Sequence, residues 1–481
     1  MRSTTNWLSK HERGVIYEQA LGVLETTGMR MAGSRLLEPL ADAGCRVDTE
    51  RGVVRIPPEL VAQALSRSSR RVLMAGARPE RDVVLDEGEP SRFCVSGCAA
   101  TTLDHTTGQR RPSTLDDLRK GTILLDETPE LDLVWTFVTA SDVPREKREL
   151  FEYYTYLTQT AKPVVFVDCP TALEPVREIF EIIAGDLRRF RERPRVGVLC
   201  AVRAPLEVEA NLLDLTCDLA ALGAPVWIYS MPISGATGPV TFAGTMTLMW
   251  AEILGTLTAL QIASPGATAM ACCGPGLLDM RYTTFSLGCF ESAVMGAACT
   301  EIAHDLGLAI HTPGLASDAK HAGVQAGYEK ALKGFINAQA GADSVGGGFG
   351  FFDGSNTFYM PLIPIDAEIA ATIRGALREV EVSERTAARE MIERVGIGGN
   401  FLKEKETRLR IRAGEHFMPV IGTRAGYDQW EEAGKTEIDA AIARIDEVLA
   451  ARADGPRYLS DDQERELARV CRVEAAGDAR A

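Results

Sequence analysis

The sequence predicts a closed (β/α)8 barrel with helical extensions at both ends. Eight short apolar runs recur along it, in RFCVSGC, LDLVWTFVT, KPVVFVDC, RVGVLCAV, APVWIYS, ATAMACC, LAIHTP and ADSVGG. They are continuous rather than alternating, the pattern of parallel strands covered on both faces. Helix-length segments separate the runs, and a count of eight favours a closed barrel over an open doubly wound sheet. Neither GxGxxG nor GxxxxGK[ST] follows any run, so the two usual nucleotide fingerprints are missing.

Residues 1–75 read as an N-terminal helical cap, with apolar residues at three and four spacings and a proline-led helix entry in PPELVAQALSRS. Hairpins are expected before a helix that begins at Ser113 and Thr114 and carries Asp116 and Asp117 in its first turn. The barrel is assigned to residues 76–363. A C-terminal helical extension is assigned to 364–455, and residues 456–481 to a polar, frayed tail.

The chain has 481 residues, 46% apolar and 25% charged, and a net charge of −15. That balance argues against nucleic acid or an anionic membrane as partner and leaves a small molecule or another protein. The N-terminal stretch MRSTTNWLSKHERGV has no apolar signal region, and no apolar run is expected to reach membrane-spanning length. A cytoplasmic address and a homo-oligomer are the expectations. Eleven cysteines are scattered without a CxxC pair and read as small buried hydrophobes.

Barrel chemistry belongs to residues just past the strand ends. Those are Cys94, Cys98, Ser141, Asp142, Asp168, Cys169, Arg203, Tyr229, Ser230, Cys272, Cys273, His311, Thr312 and Gly346 to Gly348. A zinc site from Cys272, Cys273 and His311 is disfavoured, because neighbours on a strand face opposite ways. No GxSxG elbow appears, and no histidine is spaced to activate a cysteine.

The most informative stretch runs from Asp279 to Tyr328. It holds the DMR triplet (Asp279, Met280, Arg281) and HTPGLASDAKHAGVQAGYE from His311. Arg281 reads equally as a carboxylate clamp or a structural ion pair, and Asp318 as a helix cap or a substrate contact. The aromatics Trp135, Phe166, Tyr229, Tyr282, Phe285, Phe349, Phe351, Phe352 and Tyr359 read as packing or, several together, as a box for a quaternary ammonium ion.

The chain resembles the trimethylamine methyltransferase family, in the branch without pyrrolysine that includes glycine betaine methyltransferases. The strings that carry the resemblance are MPISGATGPVTFAGT (Met231 to Thr245), DMR, SDAKHAGVQAGYE (Ser317 to Glu329) and VGIGGNFL (Val395 to Leu402), within a similarity from about residue 15 to 450. The resemblance implies a (β/α)8 barrel that moves a methyl group from an amine to the cobalt(I) of a separate corrinoid (cobalamin) protein, with no tightly bound metal of its own. A chain of standard residues suits a quaternary amine such as glycine betaine. Such an amine already carries its leaving-group charge and needs no general acid.

On that reading Asp318 and Gln325 take catalytic or orienting roles, and Arg281 holds the substrate carboxylate. Tyr229, Tyr282, Phe349, Phe351, His311 and Glu329 contact the rest of the substrate. Two positions depart from the family pattern: Gly323 stands where an acidic residue is expected, and Glu406 where a histidine is. The competing functions are a betaine-binding or sensing protein that lost catalysis, transfer to a folate, and a zinc-dependent thiol acceptor.

Overall fold

The computed structural model describes residues 6–167, 172–452 and 457–473. Eight parallel strands close a barrel in chain order: β1 (Arg92–Val95), β2 (Leu133–Trp135), β3 (Val164–Phe166), β4 (Val196–Val202), β5 (Val226–Ser230), β6 (Ala269–Cys273), β7 (Ile310–Pro313) and β8 (Ser344–Gly346). Each of the eight runs singled out in the sequence supplies one strand. Register places Tyr229, Cys272, His311 and Ser344 opposite one another across β5 to β8, so four inward side chains share one level.

Alternation divides the strand residues between two cores. Cys94, Leu133, Trp135, Val165, Leu199, Trp227, Met270, Cys272 and Ala309 point inward and pack with Val72, Met74, Val83 and Leu85. Those last four belong to a hairpin, Val72–Met74 with Val83–Leu85. The connection between its strands bonds to the chain just before β4, from Ala75 N–H to the Pro194 carbonyl, so the hairpin plugs the N-terminal end of the barrel. Intervening residues such as Val134, Phe166, Val198 and Ile228 face the helices. The open end is therefore the C-terminal one.

Helix 115–126 starts as expected, with Thr114 and Asp117 forming a capping box. The N-terminal cap holds helices Lys10–Thr26 and Pro58–Arg67, and also a three-stranded sheet of Met29–Arg30, Val53–Arg55 and Arg46–Asp48. Both helices pack on Phe242–Ala263, the helix after β5. That helix corrects one expectation: its 22 residues are long and apolar enough to cross a bilayer by composition. Here 83% of its most apolar window is buried inside the fold, under the cap.

The tail also differs from expectation. Asp461–Cys471 forms a helix whose Leu467, Val470 and Cys471 are buried against helices Arg145–Gln159 and Leu173–Ala184. Its apolar residues fall three and four apart on one face, which is enough to dock a helix that is polar elsewhere.

Candidate active site

Four aromatic rings meet on the barrel axis. Trp135 of β2 lies 4.6 Å from His311 of β7 and 4.9 Å from Trp227 of β5. Tyr229, two residues beyond Trp227 and so on the same face, lies 6.1 Å from Trp135 and 6.2 Å from His311. Trp135, Trp227 and His311 are buried, whereas Tyr229 is half-buried and Ala201, its register partner on β4, is exposed. A small inward residue at that level leaves the mouth open above the rings. The cluster is a floor beneath the opening.

Two glycines let the floor form. A side-chain carbon on Gly346 would come within 2.3 Å of Cys94 Sγ and 2.7 Å of His311 Cε1. One on Gly274 would come within 2.4 Å of the Tyr229 hydroxyl. Neither site has space for a larger residue.

The floor carries no formal charge at neutral pH. Burial pushes His311 down to about 3, so its ring is neutral. The same desolvation pushes the Cys94 thiol up to about 12 and raises Cys272 and the Tyr229 phenol. His311 Nδ1 sits 3.0 Å from Ser344 Oγ, which fixes the ring. Its Nε2 and the Trp135 indole Nε1 are buried without a hydrogen-bond partner among the described residues. Cys272 faces the axis while Cys273 packs outside against Cys299, so the two thiols lie on opposite faces of β6.

The rim is organised by carboxylates that bind backbone. A short sheet, Ile233–Ser234 with Gly276–Asp279 and Thr284–Ser286, stands beside the mouth. Asp318 accepts from the Ser286 hydroxyl and, at 3.0 Å, from the Leu287 N–H. Glu329 accepts from Ser317 Oγ at 2.7 Å, from the Asp318 N–H at 2.8 Å, and from Gln325 Nε2 at 2.8 Å. Asp318, Gln325 and Glu329 thus form one chain of bonds that locks the loop after β7 to the end of the rim sheet. Asp318 does not cap helix Val324–Gln339, whose N-cap is Gly323 without a side-chain bond.

The remaining expected residues lie apart from the floor. Arg281 is 78% exposed at the hairpin tip, where its Nε and Nη2 donate to Asp279 at 3.1 and 2.6 Å. Tyr282 beside it is exposed. Phe349 and Phe351 are fully buried in the outer core, Phe351 packing on Phe358 at 5.7 Å, because the glycine-rich loop after β8 folds outward over the helices. Asp168 and Cys169 lie outside the described residues.

The sequence model of the trimethylamine methyltransferase family matches residues 2–472. The chain belongs to the trimethylamine methyltransferase family. Among curated members of that family it is 29% identical to the trimethylamine methyltransferase of Desulfitobacterium hafniense, over 89% of this chain and 85% of the relative. It is 26% identical to the glycine betaine methyltransferase of the same species, over 92% of both chains. The fold is shared with the solved monomethylamine methyltransferase of Methanosarcina barkeri, at a TM-score of 0.53 and 10% identity, covering 93% of this chain and 90% of that one. This family member is a methyltransferase.

Sequence reasoning about this methyltransferase missed Trp227, Lys330 and Lys333. Trp227 was findable, since any strand that turns Tyr229 inward turns the residue two before it inward as well. The two lysines are buried on one face of helix Val324–Gln339. Lys330 Nζ donates to Asp366 at 2.9 Å and to the Leu315 and Gly348 carbonyls, and Lys333 Nζ donates to Ser292 at 2.8 Å and to the Leu287 carbonyl. They fix the loops after β6, β7 and β8 from beneath. Their i, i+3 spacing was the available signal.

Proposed function

We propose that this methyltransferase demethylates a quaternary amine of the betaine class, such as glycine betaine, using the reduced corrinoid of a partner protein as methyl acceptor. The observation that carries this reading is the uncharged aromatic floor of Trp135, Tyr229 and His311 under an open mouth. Ring faces attract a quaternary ammonium without forming a hydrogen bond to it, and about 1–2 kcal/mol is available from such contact when the site is dry.

The electrostatics also favour a quaternary substrate over a tertiary one. A tertiary amine must be protonated before it can leave with its bonding pair. The floor groups titrate far from neutrality, His311 at about 3 and Cys94 at about 12, so neither is an efficient acid at pH 7. A quaternary nitrogen needs no such group. As the new bond to the methyl carbon forms, the C–N bond breaks, its pair stays on nitrogen, and a neutral tertiary amine leaves. The corrinoid supplies the nucleophile. The chain's own residues orient one methyl toward the mouth and keep water from the floor.

For the carboxylate of a betaine, Arg203 is the better placed of two rim guanidiniums. It lies two residues past the exposed Ala201, and its side chain is 67% exposed with one contact to Glu207 at 3.5 Å. Glu207 is held more closely by Arg30, at 2.5 Å. Arg281 would first have to leave its two bonds to Asp279. The Asp318–Glu329–Gln325 chain is assigned to positioning the rim.

The test is methyl transfer to chemically reduced free cobalamin, read by its visible spectrum, across glycine betaine, proline betaine, carnitine, choline and trimethylamine. Methylation by a betaine and silence with trimethylamine is the expected pattern. Transfer from trimethylamine alone would overturn the reading.

A further inference from the structure

We propose that Glu252 is a positioning residue that fixes the span between Tyr229 and Arg203, and with it the length of betaine the site accepts, a role that rests on the function proposed above. Glu252 lies on helix Phe242–Ala263, behind the barrel wall, and is the only charged residue among that helix's 22. Its side chain is fully buried, and no basic group partners it among the described residues. An apolar residue would suit such a helix better, because a buried carboxyl without a counter-ion is costly unless its oxygens are bonded. Both oxygens are bonded here. Oε1 accepts from the Leu206 N–H at 2.9 Å and Oε2 from the Ser230 hydroxyl at 2.5 Å.

Those two bonds lead to the two ends of the site. Ser230 closes β5 and directly follows Tyr229, whose ring belongs to the floor. Leu206 sits in the turn after β4 that Arg203 opens. Arg203 and Glu207 close that turn by exchanging backbone bonds, from the Arg203 N–H to the Glu207 carbonyl at 2.7 Å and from the Glu207 N–H to the Arg203 carbonyl at 3.0 Å. Leu206 has a φ of 61°, in the left-handed region that a leucine seldom enters. A residue is held in such a conformation only where its surroundings over-determine it, and ligand clamps are a common setting. The surroundings here are the N-terminal cap, whose Arg30 N–H donates to the Leu206 carbonyl at 2.8 Å, and Glu252, which takes the Leu206 N–H.

One buried side chain thus ties the strand end beside the cation-binding ring to the strained turn that aims the guanidinium. Register between β4 and β5, with Val202 opposite Ser230, keeps the strands together without Glu252, so the turn is what its loss would release. A betaine bridges the two anchors, with its ammonium on Tyr229 and its carboxylate on Arg203, and the number of carbons between those charges has to match their separation. A fixed span selects one length. A loose span accepts several, because the guanidinium follows the ligand at an entropic cost that falls on every betaine alike.

The experiment is isothermal titration of the full chain, as wild type, Glu252→Ala, Glu252→Gln, Ser230→Ala and Arg203→Gln, with glycine betaine, its homologues with two and three carbons between nitrogen and carboxylate, and choline. In wild type the best and worst of the betaines are expected to differ by about tenfold or more. Glu252→Ala should compress that spread to about threefold or less while choline, which has no carboxylate to place, stays within about threefold of its wild-type affinity. Glu252→Gln should keep the spread, since its amide oxygen accepts from the Leu206 N–H and its amide nitrogen donates to the Ser230 oxygen. Ser230→Ala removes one of the two bonds with little change in volume and should compress the spread in part, which keeps the test decisive where Glu252→Ala does not fold. An equal loss for all ligands in Glu252→Ala, or a spread that survives both Glu252→Ala and Ser230→Ala but not Arg203→Gln, would overturn this proposal and leave the proposed function standing. A wild-type series without spread, or one that Arg203→Gln leaves intact, would overturn the carboxylate contact of Arg203 and this proposal with it.

Discussion

The ring of Trp135 lies 4.6 Å from the ring of His311 at a tilt of 31°, across the barrel from β2 to β7. This contact joins opposite walls of the barrel and holds the histidine in a dry, apolar setting. Its neutrality follows from that placement.

Acid should weaken the fold through His311 without affecting turnover near neutrality. The folded value of about 3 is depressed below the usual 6.5 or so of an exposed histidine. Below about pH 6.5 the unfolded chain takes up a proton that the native state refuses. The stability this histidine contributes is thus complete above that pH and falls by about 1.4 kcal/mol per unit as pH drops toward the folded value. Urea denaturation between pH 7 and pH 5 should show that slope, and His311→Asn should remove about one proton's share of it. A pH–rate profile with an inflection near 6.5 that vanishes in the variant would contradict a buried neutral ring.

Gly346→Ala should be costly for its size. The added carbon meets Cys94 and His311 at 2.3 and 2.7 Å, inside a packed barrel that has little freedom to yield. A loss of about 1–3 kcal/mol is expected from overpacking, measured by denaturant midpoint. Gly266→Ala offers a control, because that glycine has no neighbour to clash with and only its positive φ of 81° resists the change.

Removing the Asp318 carboxylate should loosen the rim rather than abolish binding. Its two acceptor bonds join Ser286 and Leu287 to the loop after β7, and Asp318→Ala leaves both donors without that partner. Faster amide exchange at 284–290 and a fall in kcat larger than the change in KM are expected. Asp318→Asn should recover part of the loss, since its amide oxygen still accepts. A pure KM effect would instead mark Asp318 as a substrate contact.

The two rim arginines should separate cleanly. Arg203→Gln is expected to lower glycine betaine affinity about tenfold or more, while leaving choline, which lacks the carboxylate, within about threefold. Arg281→Gln should do neither, because its guanidinium already serves Asp279. Isothermal titration with both ligands decides between them, and the reverse ranking would return the carboxylate to Arg281.

The barrel was legible because eight buried strands leave eight continuous apolar runs, and β5 shows the pattern in VWIYS. The direction of the aromatics was less legible. Phe351 follows β8 and Tyr229 sits near the end of β5, yet one turns into the outer core and the other over the axis, a difference set by the path of the loop after β8. The Asp318 contacts were hidden for another reason. Its partners Ser286 and Leu287 come from a different loop some thirty residues away, and no local pattern encodes that meeting. The buried Asp461–Cys471 helix was hidden by its polar majority, although its apolar face was written at helical spacing.

On the proposed function, the uncharged aromatic floor recognises a quaternary ammonium through its charge. The most direct measurement compares glycine betaine with 3,3-dimethylbutanoate, which keeps shape and carboxylate but replaces the charged nitrogen by carbon, titrated calorimetrically into wild type and Tyr229→Ala. Wild type is expected to bind the betaine at least about tenfold more tightly than the carbon analogue, and Tyr229→Ala to narrow the gap. Equal affinity of wild type for the two ligands would contradict it.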